Sequence, residues 1–265
     1  MVHGLLLSNA YQMKITFLGT GTSQGVPVIA CDCEVCTSTD KRDNRLRSSV
    51  LIEWNNTVVV IDCGPDFRYQ MLRAKVKKLD AIVFTHEHKD HIAGLDDVRA
   101  FNFKHDREMD VYASPRVQEA VVREFAYVFA SIKYPGIPKI NLVEIGNKPF
   151  TVHGIDFIPI EVMHYKLPVL GFRIGDFTYI TDAKTISAEE KEKIKGSKVL
   201  VLNALQRESH VSHLTLDEAI ELAKELKVEQ TYLTHISHRL GKHEDVEKIL
   251  PKGINLAYDG MVLTL

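Results

Sequence analysis

Residues 84–95, FTHEHKDHIAGL, place His86, His88, Asp90 and His91 within six positions, directly after the apolar run DAIVF. DAIVF reads as a short buried strand, and the donors follow in the loop that leaves it. Imidazole suits zinc, manganese and iron, and carboxylate adds a hard oxygen donor, so the mixed cluster predicts one or two divalent ions. His86 and His88 stand two apart at a strand end, where extended geometry points both rings the same way. Asp90 and His91 follow one turn later and can face a second ion beside the first.

A second group lies earlier. Cys31, Cys33 and Cys36, in VIACDCEVC, are three soft ligands close in sequence and supply most of a tetrahedral metal site. Cys63, the only other cysteine, reads as a packed apolar residue after a strand. So few cysteines, most of them bunched, argue against a disulfide framework and for a reducing compartment, hence a cytoplasmic protein.

The rest of the chain alternates strands and helices. MKITFL and the β-branched runs SVLIEW and TVVVID read as strands, the last two joined by Asn55-Asn56 as a hairpin turn. DFRYQMLRAKV has helical spacing, and Ser114-Pro115 starts another helix over SPRVQEAVVREFAYVFA. Further strands are expected at DFIPIEV, LGFRI, FTYIT, KVLVLN and QTYLT, and helices at SAEEKEKIK, LDEAIELAKELK and EDVEKIL. TLDE (215–218) is a capping box opening the second of these helices. Antiparallel hairpins mixed with helices predict layered α/β with two sheets rather than one doubly wound parallel sheet. With 265 residues, 45% hydrophobic, and no linker, repeat or low-complexity tract, the chain reads as a single domain over 1–265.

Charge narrows the partners. A formal net charge of −2 lacks the excess expected of a dedicated nucleic-acid binder. No apolar run approaches the roughly 20 residues needed to cross a bilayer. The opening MVHGLLLSNAYQ has no basic n-region and is a poor secretory signal.

THEHKDH matches the HxHxDH signature of the metallo-β-lactamase fold, and other pieces of that pattern follow in order: VVVIDCG with Asp62, VMHY with His164, YITDAK with Asp182, and LTHISH with His235. The chain therefore resembles that superfamily from Met13 onward, with residues 1–12 an extension outside the match. The resemblance implies a four-layer αββα sandwich, two mixed β-sheets flanked by helices. It also implies a dinuclear centre: His86, His88 and His164 on one ion, Asp90, His91 and His235 on the other, with Asp182 and a hydroxide between them. Asp62 is expected to orient a ligand rather than to bind metal. The ligands suit zinc, manganese or iron alike.

The opening FLGTGTSQGVPVIACDCEVC resembles a narrower branch, the PhnP-like phosphoribosyl cyclic phosphodiesterases. That likeness implies a structural zinc on Cys31, Cys33 and Cys36, closed by His238, three residues after the last catalytic ligand. Three thiolates and one imidazole fill a tetrahedron and leave no open position, as a structural site requires.

A dinuclear site suits phosphodiester hydrolysis, because two ions activate water, orient the substrate and neutralise phosphoryl charge. Asp90 could orient the attacking hydroxide. His213, just before the helix that begins near Thr215, is expected as general acid, with His210 its substitute. The free N–H groups of that helix would favour a phosphate, and HLTLDEA resembles the motif carrying this acid in cyclic phosphodiesterases and tRNA 3′-processing enzymes. The turn LGTGTSQG, through Gly19, Gly21 and Thr22, could line the pocket and cradle phosphate, and Arg68 and Arg207 are further phosphate partners to examine.

The leading expectation is a metal-dependent phosphodiesterase of small, cyclic substrates, with two active-site ions and one structural zinc; a homodimer is compatible with it. Alternatives are a tRNA 3′-processing endonuclease, a thioester or lactam hydrolase, and a non-catalytic metal-binding module.

Overall fold

In the computed structural model, residues 12–132 and 135–265 are described. The N-terminal extension expected at 1–12 therefore lies outside the described residues except for Gln12.

Six strands open the chain: β1 (Lys14–Gly19), β2 (Ser49–Trp54), β3 (Thr57–Ile61), β4 (Ala81–Val83), β5 (Met109–Ala113) and β6 (Ile140–Glu144). Eight more follow: β7 (Phe150–Val152), β8 (Ile155–His164), β9 (Leu167–Ile174), β10 (Phe177–Tyr179), β11 (Thr185–Ile186), β12 (Val199–Asn203), β13 (Gln230–Thr234) and β14 (Ile254–Leu256). A last strand, β15 (Val262–Thr264), returns to pair with β1. The first sheet runs β15-β1-β2-β3-β4-β5-β6; the second runs β11-β8-β9-β10-β12-β13-β14, with β7 on β8.

Both sheets are mixed. β1, β2 and β3 form antiparallel hairpins, whereas β3, β4, β5 and β6 run parallel. β8, β9 and β10 are antiparallel, and β10, β12, β13 and β14 are parallel. The β2–β3 turn falls on Asn55 and Asn56 with φ of 50° and 63°, the left-handed conformation a two-residue hairpin needs and asparagine tolerates.

Strand periodicity sorts the side chains into layers. Ile15, Phe17, Ile52, Val59 and Ile61 face inward onto Phe157, Phe172, Phe177 and Tyr179 of the other sheet. Alternate residues such as Leu51, Val60 and Ile82 face outward onto Phe67, Phe101, Val117 and Val121 from helices. On the far side, Ile160, Val162, Leu200 and Leu202 pack on Ile194, Ala219, Leu222 and Val246. Three apolar interfaces thus separate helix, sheet, sheet and helix. Truncating one central ring, as in Phe172→Ala, would cost about 3–5 kcal/mol.

The expected helix over 114–130 is two pieces, Pro115–Glu124 and Ala126–Phe129, broken at Phe125, whose φ of −116° and ψ of 39° leave the helical region. Ser114 takes the N-cap position without a side-chain capping bond. The capping box at Thr215 and Glu218 forms in full.

Candidate metal centre

The ligand-bearing loops sit where parallel strands end, which is where open α/β sheets gather their sites. Asp62 follows β3, Thr85 and His86 follow β4, Asp182 follows β10 and His235 follows β13. Asp62, Asp182 and His235 all hold positive φ, at 63°, 57° and 55°. Non-glycine residues rarely adopt that conformation, and three together at one strand-end edge mark strain kept for function. Glycine or asparagine usually signals such positions, so the sequence carried no sign of this strain.

His86 and His88 lie in the loop beyond β4 rather than on the strand, yet their rings converge, with centroids 4.6 Å apart. Asp90 and His91 occupy the single helical turn Lys89–Ile92. His164 ends β8, and its ring lies 6.0 Å from that of His86 and 5.2 Å from that of His88. Donor atoms of Asp90, His91 and His235 lie within 4.8 Å of one another, as do those of His86, His91 and Asp182, and those of His164, Asp182 and His213. Asp182 is shared between two of these groups. His88 falls outside all three and lies exposed at the mouth.

Hydrogen bonds orient the imidazoles. Asp62 Oδ2 lies 2.7 Å from His91 Nδ1, while Asp62 also accepts from the Thr85 amide at 2.9 Å and the Thr85 hydroxyl at 2.8 Å. The Thr85 hydroxyl in turn lies 3.0 Å from His86 Nδ1. The Ser212 carbonyl, 2.9 Å from His164 Nδ1, accepts that ring's proton. Such bonds leave the opposite ring nitrogens for a cation. His86 Nε2 and His91 Nε2 are buried with no hydrogen-bond partner. A buried polar atom without a partner is costly, and here several point at one another, so the donor set fits divalent metal ions.

Charges follow the same logic. Burial, and then the adjacent His91, drive His86 well below the usual imidazole range, which keeps it uncharged. His91 is held well above that range: its own burial opposes a charge, but Asp90, Asp62 and Asp182 overcome it. Asp182 is fully buried, yet His235 and His91 hold it well below the ordinary carboxylate range. Only a concentrated positive charge offsets so many buried acids, and that is what a divalent ion would bring.

The second group also assembles. His238 Nδ1 lies 3.2, 3.4 and 3.6 Å from the sulfurs of Cys31, Cys33 and Cys36. A zinc tetrahedron with ordinary Zn–S and Zn–N bonds has edges of about 3.5 Å, so the four donors fit one ion. The Cys36 amide holds Cys33 down to about 6, while burial pushes Cys36 up to about 11.

Two expectations for phosphate binding do not hold. The amides of Thr20, Gly21 and Thr22 are all committed inside the protein, to Asp259 Oδ1, the Leu46 carbonyl and the Ile236 carbonyl. Gly19 and Gly21 are needed for close packing instead: a Cβ there would come within 1.9 Å of the Arg47 carbonyl oxygen and 2.8 Å of the Arg45 carbonyl oxygen. From these residues the Thr22 hydroxyl reaches the centre, 3.3 Å from His235 Nε2. The helix at Leu216–Leu226 offers little more. Its capping box takes the Thr215 and Glu218 amides, and the Leu216 amide donates to the Gln206 carbonyl.

His213 is buried with Nδ1 unpartnered, 3.8 Å from Asp182 Oδ1. Burial, and then His235, push it down to about 3. His210 is half-buried, its ring 5.1 Å from that of His213, and its Nδ1 accepts from the Ser212 amide. Arg68 is exposed on the helix Phe67–Arg73, and Arg207 donates to the Leu240 carbonyl, so neither is placed as a phosphate ligand by any contact at the centre. Cys63 is fully buried in the outer core and burial pushes its thiol well up. Sequence reasoning missed Thr85, Ser212 and Asn203, whose side-chain amide brackets the backbone of Ala183, next to Asp182, at 2.7 and 3.0 Å. Polar residues at strand ends opposite a ligand were the only available signal.

Residues 57–236 match the Beta-lactamase superfamily domain. A solved structure described as a new diphosphatase from the PhnP family superposes with a TM-score of 0.90 at 40% identity, covering 96% of this chain and 97% of that one. A Porphyromonas gingivalis protein named octanoyltransferase is 41% identical over 252 residues, 94% of this chain but 51% of its own length. The chain thus spans about half of that relative. A Staphylococcus haemolyticus ribonuclease Z is 29% identical over 168 residues, 61% of this chain and 49% of that one. Among the described residues, no helix is long and apolar enough to cross a membrane.

Proposed function

The chain belongs to the PhnP family of the metallo-β-lactamase superfamily, and on that premise we propose that it is a metal-dependent hydrolase of small phosphodiesters, cyclic ones above all. The observation that carries the reading is the set of buried, unpartnered imidazole nitrogens facing shared carboxylates at the strand ends.

In this reading His86, His88, His164, Asp90, His91, His235 and Asp182 would hold two divalent ions; zinc or manganese, with iron as a third choice, would serve. Bound there, divalent ions supply an activated water and neutralise charge on phosphoryl oxygens. The chain's own residues do the rest. Asp62 and the Ser212 carbonyl fix the rings of His91 and His164, so the donors need no reorganisation. Asp90, 3.1 Å from His91 Nε2, faces the reacting space and is placed to orient the nucleophile. His213, 3.8 Å from Asp182 Oδ1, would take a proton from solvent and give it to the departing oxygen. The Cys31, Cys33, Cys36 and His238 group would take one structural zinc, and reduced thiols of this kind suit the cytoplasm.

A second reading, cleavage of a diphosphate rather than a diester, is favoured by the PhnP-family relative described as a diphosphatase. The octanoyltransferase name belongs to a protein about twice this length, and the cleft beside the centre carries Arg116 and Lys166, two cations able to meet an anion. The net charge of −2 argues against a tRNA substrate. Assay of bis-p-nitrophenyl phosphate, cyclic phosphates of the 1,2-, 2′,3′- and 3′,5′-types, nucleoside diphosphates and an acyl thioester, each with zinc, manganese and iron, tests the proposal. Turnover confined to the thioester would overturn it, and turnover confined to diphosphates would replace it with the second reading.

A further inference from the structure

Asn203 ends β12 and is fully buried, on a strand whose other side chains are all apolar. A leucine there would extend the core beside Leu202, and a buried amide is costly unless its donor and acceptor are both answered. Both are answered by a single residue. Asn203 Oδ1 accepts from the Ala183 amide at 2.7 Å, and Asn203 Nδ2 donates to the Ala183 carbonyl at 3.0 Å. A planar side-chain amide carries an acceptor and a donor side by side, which this pair of bonds requires.

The bonds continue a ladder that the backbone has abandoned. β10 and β12 pair in parallel as far as Tyr179 and Val201, and the Ile180 amide makes one more bond to the Val201 carbonyl. The chain then turns away through Asp182, whose φ of 57° no regular strand accepts. Beyond that point the Asn203 side chain holds Ala183 in place of a strand neighbour.

Three groups of the centre hang on this contact. Asp182 immediately precedes Ala183. The Ala183 carbonyl also accepts from the Leu214 amide at 2.9 Å, and Leu214 immediately follows His213 in a segment with no helix or strand of its own. Across β12 and β13, Asn203 pairs with Thr234, which precedes His235. Asp182 in turn lies 3.3 Å from His235 Nδ1 through Oδ2 and 3.8 Å from His213 Nδ1 through Oδ1.

We propose that Asn203 is a positioning residue: by clamping Ala183 it sets the separation of Asp182 from His213, and so aligns proton delivery to the departing oxygen. It touches the reaction through those two residues alone. The role of His213 rests on the phosphodiester-hydrolase reading, whereas the hold on Asp182 rests on the bonds to Ala183.

Asn203→Leu, which keeps the size and loses both bonds, tests the clamp, with Asn203→Ala beside it because a water can bridge Ala183 in the space left and preserve the fold. Turnover is compared on bis-p-nitrophenyl phosphate, whose leaving group departs without a proton, and on the cyclic phosphate opened fastest, whose alkoxide needs one. Both variants should lose at least about tenfold more kcat on the cyclic ester than on the nitrophenyl ester, with KM little changed. Damage to the fold alone would lower both esters together. Zinc affinity of the His/Asp centre, read by competition with a chelator, should fall by roughly 10–100-fold as Asp182 loosens. Equal losses on the two esters, or a zinc affinity within about threefold of the wild type, would overturn the proposal. A wild type that opens no cyclic phosphate removes the hydrolase reading instead, and the zinc affinities then decide the clamp by themselves.

Discussion

The two metal-fitting groups are built in opposite ways. The His/Asp centre is assembled from five strand ends far apart in sequence, those of β3, β4, β8, β10 and β13, its rings are held by Asp62, Thr85 and Ser212, and most of its donors are buried. The Cys31–Cys36 group draws three donors from one loop and only His238 from elsewhere, and all four are half-exposed. The first can form only after both sheets have docked. The second needs only a loop and one histidine, and a metal bound there would tie the segment around residues 20–45 to the end of β13. The two meet at short range: His238 lies three residues after His235, and the loop carries Thr22 onto His235.

That contrast can be broken at its strongest point first. Removing a ligand by His86→Ala should lower turnover by more than the roughly hundredfold that loss of a supporting bond costs, with the circular dichroism spectrum unchanged. Retained activity in that variant would mean the imidazoles are not the reacting centre. Next, Asp62→Asn keeps the size but weakens the hold on His91, and should cost roughly 10–100-fold in metal affinity or in kcat/KM. A variant indistinguishable from wild type would show that the fold alone orients the ring.

On the other side of the comparison, Cys33→Ala should remove one metal per chain by elemental analysis. It should also lower stability by about 3–4 kcal/mol when metal is in large excess over its dissociation constant, while reducing turnover far less than His86→Ala. Equal metal content in wild type and variant would end the structural-site assignment.

The smallest effect concerns His243, which sits behind the stapled loop. Its Nδ1 accepts from Arg45 at 3.0 Å, and its amide donates to Asp43 at 2.7 Å. Burial, then Arg45 and Arg42, push it down from 6.5 to about 4. The unfolded chain therefore takes up the proton first, so the stability His243 gives is complete above about pH 6.5 and is lost as pH falls toward 4. His243→Gln should flatten the pH dependence of stability in that window by about 1–2 kcal/mol, after allowance for screening. Unchanged curvature in chemical denaturation across those pH values would assign the acid sensitivity elsewhere.

Much of this was written locally. The β2–β3 hairpin was legible because Asn55-Asn56 separates two β-branched runs, and the helix at 216–226 because TLDE caps it. Donor-dense segments such as THEHKDH and CDCEVC announced metal chemistry because no core or surface role calls for such crowding. The glycine turn misled for a physical reason: a glycine that admits a phosphate and one that admits a neighbouring carbonyl look alike in sequence, and only the Arg45–Arg47 segment packed over it decides between them. The helix break at Phe125 was hidden similarly, since an apolar period continues through it.

The sequence by itself determined the donor types, their order along the chain and the alternation that layers the sheets, because composition and periodicity act over a few residues. Tertiary structure alone decided which nitrogens are left without partners, which carboxylate steadies rather than binds, and that Asn203 grips the backbone beside Asp182. Those facts depend on contacts between residues up to a hundred or more positions apart, and no local pattern encodes a distance across two sheets.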